Sequence, residues 1–466
     1  MWGSTCILCW WLFFVGVSLV YFKKRILAVA ATFSLALSGS ASAESLTEAL
    51  AKAYQNNPAM AAALISVKLA SEDINLRKAG KRPQINLSAT SQYNWAFVGG
   101  TQTDGGSTSV NLQYNQRLFD GLKTEAQIEQ ARAFADSAKH GLRNTEQNVL
   151  LSAATAYMDV VRDTNLASLR AENVKFLRAQ VSSAQNRLQI GEGTKIDVAQ
   201  AEARLAQAVA SYKSAVNSLR TSQASYVRWM GSKPAGLNSN FKFGKVLPTT
   251  LDRALRSARA NHPAILTAQA QLDAAKHGTD AALRAFGPTL DLIGSICAFE
   301  CGAGGARGHT GSVRLTLSVP IYQGGALGAS ARKANLSFIR AEVDARATVD
   351  QVEEAVISAW SGLQSSIALI ESAQAAVRSG QIALDGVIEE RNVGQRTTLD
   401  VLNARAELTS AKEALYTAQR NKIVAAFSLV SSSGRLDAAS LNLPVSIQTG
   451  DGYRARVEDI WSELRE

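Results

Sequence analysis

Two hydrophobic periods alternate along the chain. The prolines leave two long gaps, 84–233 and, past Pro320, 321–443, and within them the sequence is rich in Ala, Gln, Leu, Arg and Glu. Strong helix formers without proline predict long helices, over about 121–190, 194–229, 324–393 and 397–431. Each 70-position stretch would be about 105 Å long if unbroken. Late in these stretches the apolar spacing alternates three and four, as in Val174, Leu177, Val181, Ala184, Leu188 and in Val377, Gly380, Leu384, Val387. That spacing predicts coiled-coil packing. After Pro83 the period falls to two. Ile85, Leu87, Ala89, Tyr93 and Trp95 alternate with Gln84, Asn86, Ser88, Thr90, Gln92 and Asn94, which predicts a strand with one apolar face over about 84–97. The Gly/Ser/Thr-rich stretch 99–109 reads as a loop, followed by a second strand over about 109–119. Strands are predicted again over about 289–299 and 312–322.

The chain is a tandem duplication. Leu46 to Pro58 matches Leu251 to Pro263 at an offset of 205, and both copies break at Asn-x-Pro, where a helix ends and a new one starts on proline. Leu188-Gln-Ile-Gly-Glu-Gly-Thr-Lys-Ile-Asp197 matches Arg391-Asn-Val-Gly-Gln-Arg-Thr-Thr-Leu-Asp400 at an offset of 203. These two stretches read as hairpin tips, with Gly191 and Gly394 as left-handed helix caps. The offset changes inside a strand-connecting loop, as a genuine duplication allows. The expected organisation is a leader over 1–43, repeat 1 over 44–232, a connector over 233–250, repeat 2 over 251–433 and a C-terminal segment over 434–466.

Lys23-Lys24-Arg25, the apolar run 26–37 and Ser-Gly-Ser-Ala-Ser-Ala43 form the three parts of an export signal with cleavage after Ala43. Residues 1–22 precede a complete signal; an upstream start codon and a second anchoring helix are the two readings. Without the leader's three basic residues the chain has 46 Lys and Arg against 39 Asp and Glu. This balance, spread along helices, describes a solvated surface and no nucleic-acid footprint.

Four strands of about a dozen residues suit a tilted crossing of a bilayer, but four cannot close a barrel. Open edges are not tolerated in hydrocarbon, so the chain is expected to oligomerise around an axis. A soluble β-sandwich carrying helices is the alternative. The paired Asn-x-Pro helices, Pro83 and Pro288 before strands, Ile321-Tyr-Gln-Gly-Gly325 and the two Gly-x-x-Thr-x-x-Asp-Val tips ending at Val198 and Val401 together resemble the TolC family of outer-membrane efflux and secretion channels. The resemblance covers essentially all of 44–433. It implies a mainly α protein with β, a homotrimer with a twelve-stranded membrane β-barrel continuous with a long α-helical barrel, and an equatorial region from the connector and C-terminal segment. It also implies residence in the outer membrane of a Gram-negative bacterium, against its lipid, with the helices in the periplasm. The implied partners are a periplasmic adaptor (membrane fusion) protein and an inner-membrane pump or ABC transporter. No cofactor is implied.

By position in the family, Asp197 and Arg396 would form the periplasmic gate, with Arg391, where the family's best-known member has tyrosine, as a further partner for Asp197. Asp400 would face the lumen as a selectivity ring, and Asn403 stands where a second ring carboxylate is usual. Gly191, Thr194, Gly394 and Thr397 would be adaptor-docking positions on the tips. The plain reading of the charged residues is a solvated helical surface. His140, His262, His277 and His309 are scattered without ligand partners, and no acid/base constellation points to an enzyme. Cys297 and Cys301 are expected to form a disulfide if the chain turns there, a turn that Gly302 to Gly311 could supply. A non-conducting structural or adhesive coiled-coil protein is the rival function. Cargo, small toxic compounds or proteins, is not legible.

Overall fold

In the computed structural model the described residues are 44–461, apart from 239, 240, 242, 245 and 302–305. The leader over 1–43 lies outside them. Helices α1 (Leu46–Asn56) and α2 (Pro58–Lys78), with a 3-10 turn at Ala79–Lys81, lead into strands β1 (Gln84–Val98) and β2 (Thr101–Phe119). Then come α3 (Lys123–Gln189) and α4 (Lys195–Met230). The second repeat supplies α5 (Leu251–Asn261), α6 (Pro263–Arg284), β3 (Thr289–Cys301), β4 (Ala306–Ser318), α7 (Ala326–Asn392) and α8 (Thr398–Ser432). A short α9 spans Asp451–Val457.

Local chemistry explains the breaks. The Asn57 side chain accepts from the Ala59 N–H at 2.9 Å and His262 Nδ1 from the Ala264 N–H at 3.2 Å. Each residue thereby caps the proline-led helix that follows it.

The strands form one antiparallel sheet in the order β1-β2-β3-β4. Its register aligns Ile85 with Tyr114, Leu87 with Leu112, Leu112 with Ile296, and Leu292 with Leu315. Most apolar positions of the four strands therefore share one face, and most polar ones, such as Asn86, Gln113, Ser295 and Ser312, share the other, with Ile293 and Phe299 among the apolar exceptions on the polar side. The apolar face is uncovered: Leu87 is 72% exposed and Val313 83%.

Boundaries of three strands differ from expectation. Strand β2 begins at Thr101, because Gly99 and Gly100, both at positive φ (62° and 85°), make a two-residue hairpin turn. The glycines of this stretch then act as strand residues, with the Tyr93 ring lying against Gly106. Strand β4 covers Ala306–Ser318, so residues 319–323 lie outside it. A Cβ on Gly308 would come within 2.8 Å of the Phe299 ring. The glycine accommodates the cross-strand aromatic, and residues 306–311, part of the run expected to supply a turn, are strand. Strand β3 likewise runs through Cys301, leaving Cys297 four positions away in the same extended segment with a free thiol. The expected disulfide is not formed, because the chain does not turn between the two cysteines.

The hydrophobic core lies at mid-height of the helices. Leu50, Leu150, Tyr157, Tyr226, Met230 and Phe427 are fully buried there with Leu436. Connector residues Phe241 and Phe243 stack on Phe427 at ring-centroid distances of 5.1 and 4.8 Å. Tyr157 donates to the Glu44 carbonyl at 2.7 Å. This belt ties the N-terminal, connector and C-terminal segments to α3, α4 and α8, and the hairpins project from it.

Candidate functional site: the hairpin tips

Both tips are built alike. At the end of α3 the Gly191 N–H donates to Leu188 and the Glu192 N–H to Arg187; at the end of α7 Gly394 donates to Arg391 and Gln395 to Glu390. With φ of 82° and 80° the two glycines close the same left-handed cap. Each return helix starts on a reciprocal cap. Asp197 N–H donates to Thr194 Oγ1 (3.2 Å) while Asp197 Oδ2 accepts from the Thr194 N–H (3.0 Å). Thr397 and Asp400 repeat the arrangement at 3.2 and 2.9 Å. These bonds hold both carboxyls below their ordinary range, Asp197 through the Thr194 hydroxyl and backbone and Asp400 through the Thr397 backbone and hydroxyl.

The remaining tip residues are placed as follows. Arg396 occupies the position of Gly193 in the first tip and pairs with Glu390, in the last turn of α7, at 2.7 Å. Arg391 donates to Gln180 on α3 at 3.2 Å and to Asn392 at 3.0 Å, and its Nε is buried without an acceptor among the described residues. Asn403 accepts from Arg204 on α4 at 3.2 Å. Within one chain, then, Asp197 is occupied by its cap and Arg396 by Glu390. The structure joins Arg391 and Asn403 to the first hairpin.

Behind the tips the hairpins share one apolar seam, with Phe176 packing against both the cluster around Val174 and Ala201 and the one around Leu384 and Leu408. Sequence reasoning missed the polar ladder beside it. Arg405 lies over the Phe176 ring at 4.8 Å and donates to Asn173; Arg170 grips Glu413 at 2.5 and 2.8 Å; Arg420 meets Asp159 at 2.9 Å. Burial pushes the Arg405 pKa down. The hydrogen-bonded partners here are 232 to 261 positions apart, so no local spacing signals them.

The family model described as "Outer membrane efflux protein" matches residues 49–232 and 254–435. The chain belongs to that family. It is 36% identical to outer membrane efflux protein BepC of Brucella suis over 95% of this chain and 97% of that one. It is 28% identical to outer membrane protein TolC of Escherichia coli, over 90% and 88% respectively. Among solved structures, the Campylobacter jejuni CmeC outer membrane channel superposes with a TM-score of 0.75, covering 89% of each chain at 15% identity. The efflux-family chain is thus an outer-membrane protein of the TolC type, and its sheet and long hairpins form the fold of such channels.

Proposed function

We propose that three copies of this chain form a passive exit duct, gated at its periplasmic tips, that carries small toxic compounds or proteins out of the cell. The uncovered apolar face of the sheet carries the reading. Together with the unpaired outer edges of β1 and β4, it is compatible with hydrocarbon only when neighbouring copies pair with those edges. Twelve strands would then continue into twelve helices, with the polar sheet face lining the lumen.

In this assembly Arg396 and Arg391 reach the Asp197 of a neighbouring hairpin and hold the mouth shut. Asp400 faces the lumen as an acidic layer, with Asn403 weakening the ring to one carboxylate per chain. Gly191, Thr194, Gly394 and Thr397 present the matched tips to a periplasmic adaptor, which an inner-membrane pump or ABC transporter recruits together with the duct. Exposed ion pairs contribute about 0.2–1 kcal/mol each, so three copies of one pair bias closure by roughly 1–3 kcal/mol, within reach of a docking partner.

A strain lacking the protein should become hypersensitive to detergents and dyes or lose a secreted protein, and the intact chain should restore the phenotype. Full rescue by a variant whose assembled channel is plugged by an engineered disulfide across the tips would overturn the conducting role.

A further inference from the structure

The duplicated halves differ at the foot of the sheet. In repeat 1 the segment before the first strand carries Arg77, Lys78, Lys81 and Arg82, whereas at an offset of 205 repeat 2 has Ala282, Leu283, Phe286 and Gly287. A polybasic segment beside a membrane-spanning element attracts anionic lipid. Only one of two otherwise matched elements has it here.

Two of these charges have carboxylate partners: Lys78 pairs with Asp459 at 2.8 Å and Glu458 at 3.5 Å, and Lys81 with Glu125 at 3.0 Å. Arg77 and Arg82 make no ion pair within 4 Å among the described residues, although the Arg82 charge helps to hold down the Asp459 carboxyl. Arg82 donates to Asn75 Oδ1 (2.9 Å) and the Ile460 carbonyl (2.6 Å), and lies 4.9 Å from the Trp461 ring centroid. Trp461 is 69% exposed despite that contact. An exposed indole next to a guanidinium at a barrel rim is the side-chain pair that an interfacial headgroup layer favours.

An open cleft here is bordered by Arg82, Gln84, Ile85, Ile460 and Trp461. Glu72 and Asp73 border it too, Glu72 accepting from the Tyr453 hydroxyl at 2.6 Å. Ile85 also begins a second groove, on the apolar face, that runs past Leu112 and Tyr114 to Ile296 and Val313, where Gly294 and Gly311 leave room. A polar cleft with an arginine therefore meets an apolar groove at one residue. Arg82 lies three residues before Ile85, at most about 10 Å along the chain.

We infer that the Arg82–Trp461 cleft and the Gly294–Gly311 groove bind an anionic phospholipid of the periplasmic leaflet, its phosphate against Arg82 and an acyl chain in the groove. The inference rests on the barrel reading of the sheet. It gives each chain one lipid that ties the C-terminal segment, through Trp461, to the membrane surface.

The test is native mass spectrometry of the purified assembly in mild detergent with phosphatidylglycerol, phosphatidylcholine or inorganic phosphate, and conductance measured on the same preparation. One phosphatidylglycerol should be retained per chain, at least about tenfold more tightly than phosphatidylcholine, with no retention of inorganic phosphate. Arg82→Gln should weaken retention by about tenfold or more, and Trp461→Ala severalfold. Gly294→Ile should fill the groove and displace the chain; an added Cβ there meets Tyr114 Cβ at an ordinary 3.6 Å, and the conductance of the variant checks that it assembles. Arg284→Gln in repeat 2 should change nothing. Equal retention of the two lipids, retention of inorganic phosphate in their place, or unchanged retention in the arginine variant overturns the site. A conducting assembly with that outcome leaves the duct standing, whereas one that neither inserts nor conducts overturns both.

Discussion

Arg420 on α8 clasps Asp159 on α3 with two nitrogens, Nε to Oδ1 at 2.9 Å and Nη2 to Oδ2 at 3.4 Å. The side chains are only 20% and 25% exposed, so the pair is screened less than a surface bridge. It ties the second hairpin to the first well above the tips. Any outward swing of α7 and α8 must break it together with the Arg170–Glu413 pair.

Arg420→Ala should therefore favour the open channel, by about 1 kcal/mol or fivefold in open fraction per chain. Arg162, 3.2 Å from Asp159, remains to hold the carboxylate. Asp159→Ala should act alike, and the double variant should add little to either single one in bilayer recordings. Fully additive effects would show that the two residues act separately.

The tip caps give a stability prediction. Thr194→Val with Thr397→Val removes both hydroxyl acceptors at a cost of about 1 kcal/mol per cap. Trypsin should then cleave faster after Lys195 and Arg396, with the equatorial belt unaffected. Since both cap carboxyls are held below their ordinary value, their contribution is complete above about pH 4 and is lost as pH falls through the lowered folded values. Amide exchange at 195–198 and 398–401 should accelerate only in that acid range.

Much of this was legible in the chain. The glycine, threonine and aspartate of each tip recur at a fixed offset, and their spacing is that of a helix stop followed by a capped start. The length of β2 was not, because Gly and Ser stretches read as loop until a two-residue turn at Gly99–Gly100 and the ring of Tyr93 over Gly106 supply the pairing. Nor were the partners that Arg391 and Arg396 take within one chain. Glu390 was overlooked as a local partner, whereas Gln180 is 211 positions from Arg391 and becomes a neighbour only when the hairpins pack.

A second pH dependence sits in the equatorial belt. Glu146 is buried, accepts the Ala438 N–H at 2.7 Å, and burial pushes its pKa up to about 7. Asp437 and Tyr54 lie near it, and Arg143 partly offsets the burial. For an acid with a raised folded pKa, the folded state holds the extra proton between its ordinary value and about 7. Stability therefore falls as pH rises across that window, by up to about 3 kcal/mol, and is level above it. Hydrogen exchange over 436–449, corrected for intrinsic rates, should be slower at pH 5.5 than at pH 8. Glu146→Gln should remove the difference.

The free thiol of Cys297 offers a probe of the barrel. It pairs in register with Asn111 and Thr310 on the polar face, so it should point into the lumen. In a Cys301→Ser background, a bulky maleimide at Cys297 should lower conductance by at least about half, whereas one at Leu87→Cys, on the apolar face, should not. Block from the apolar face alone would reverse the assignment of the two faces.

The most direct test of the gated duct is single-channel conductance of the assembled protein in planar bilayers, wild type against Asp197→Ala with Arg396→Ala. The account predicts a small wild-type conductance that rises severalfold in the double variant. A wild type already fully open, unchanged by the substitutions, would contradict gating at the tips, and a verified, inserted trimer that passes no ions would contradict the duct itself.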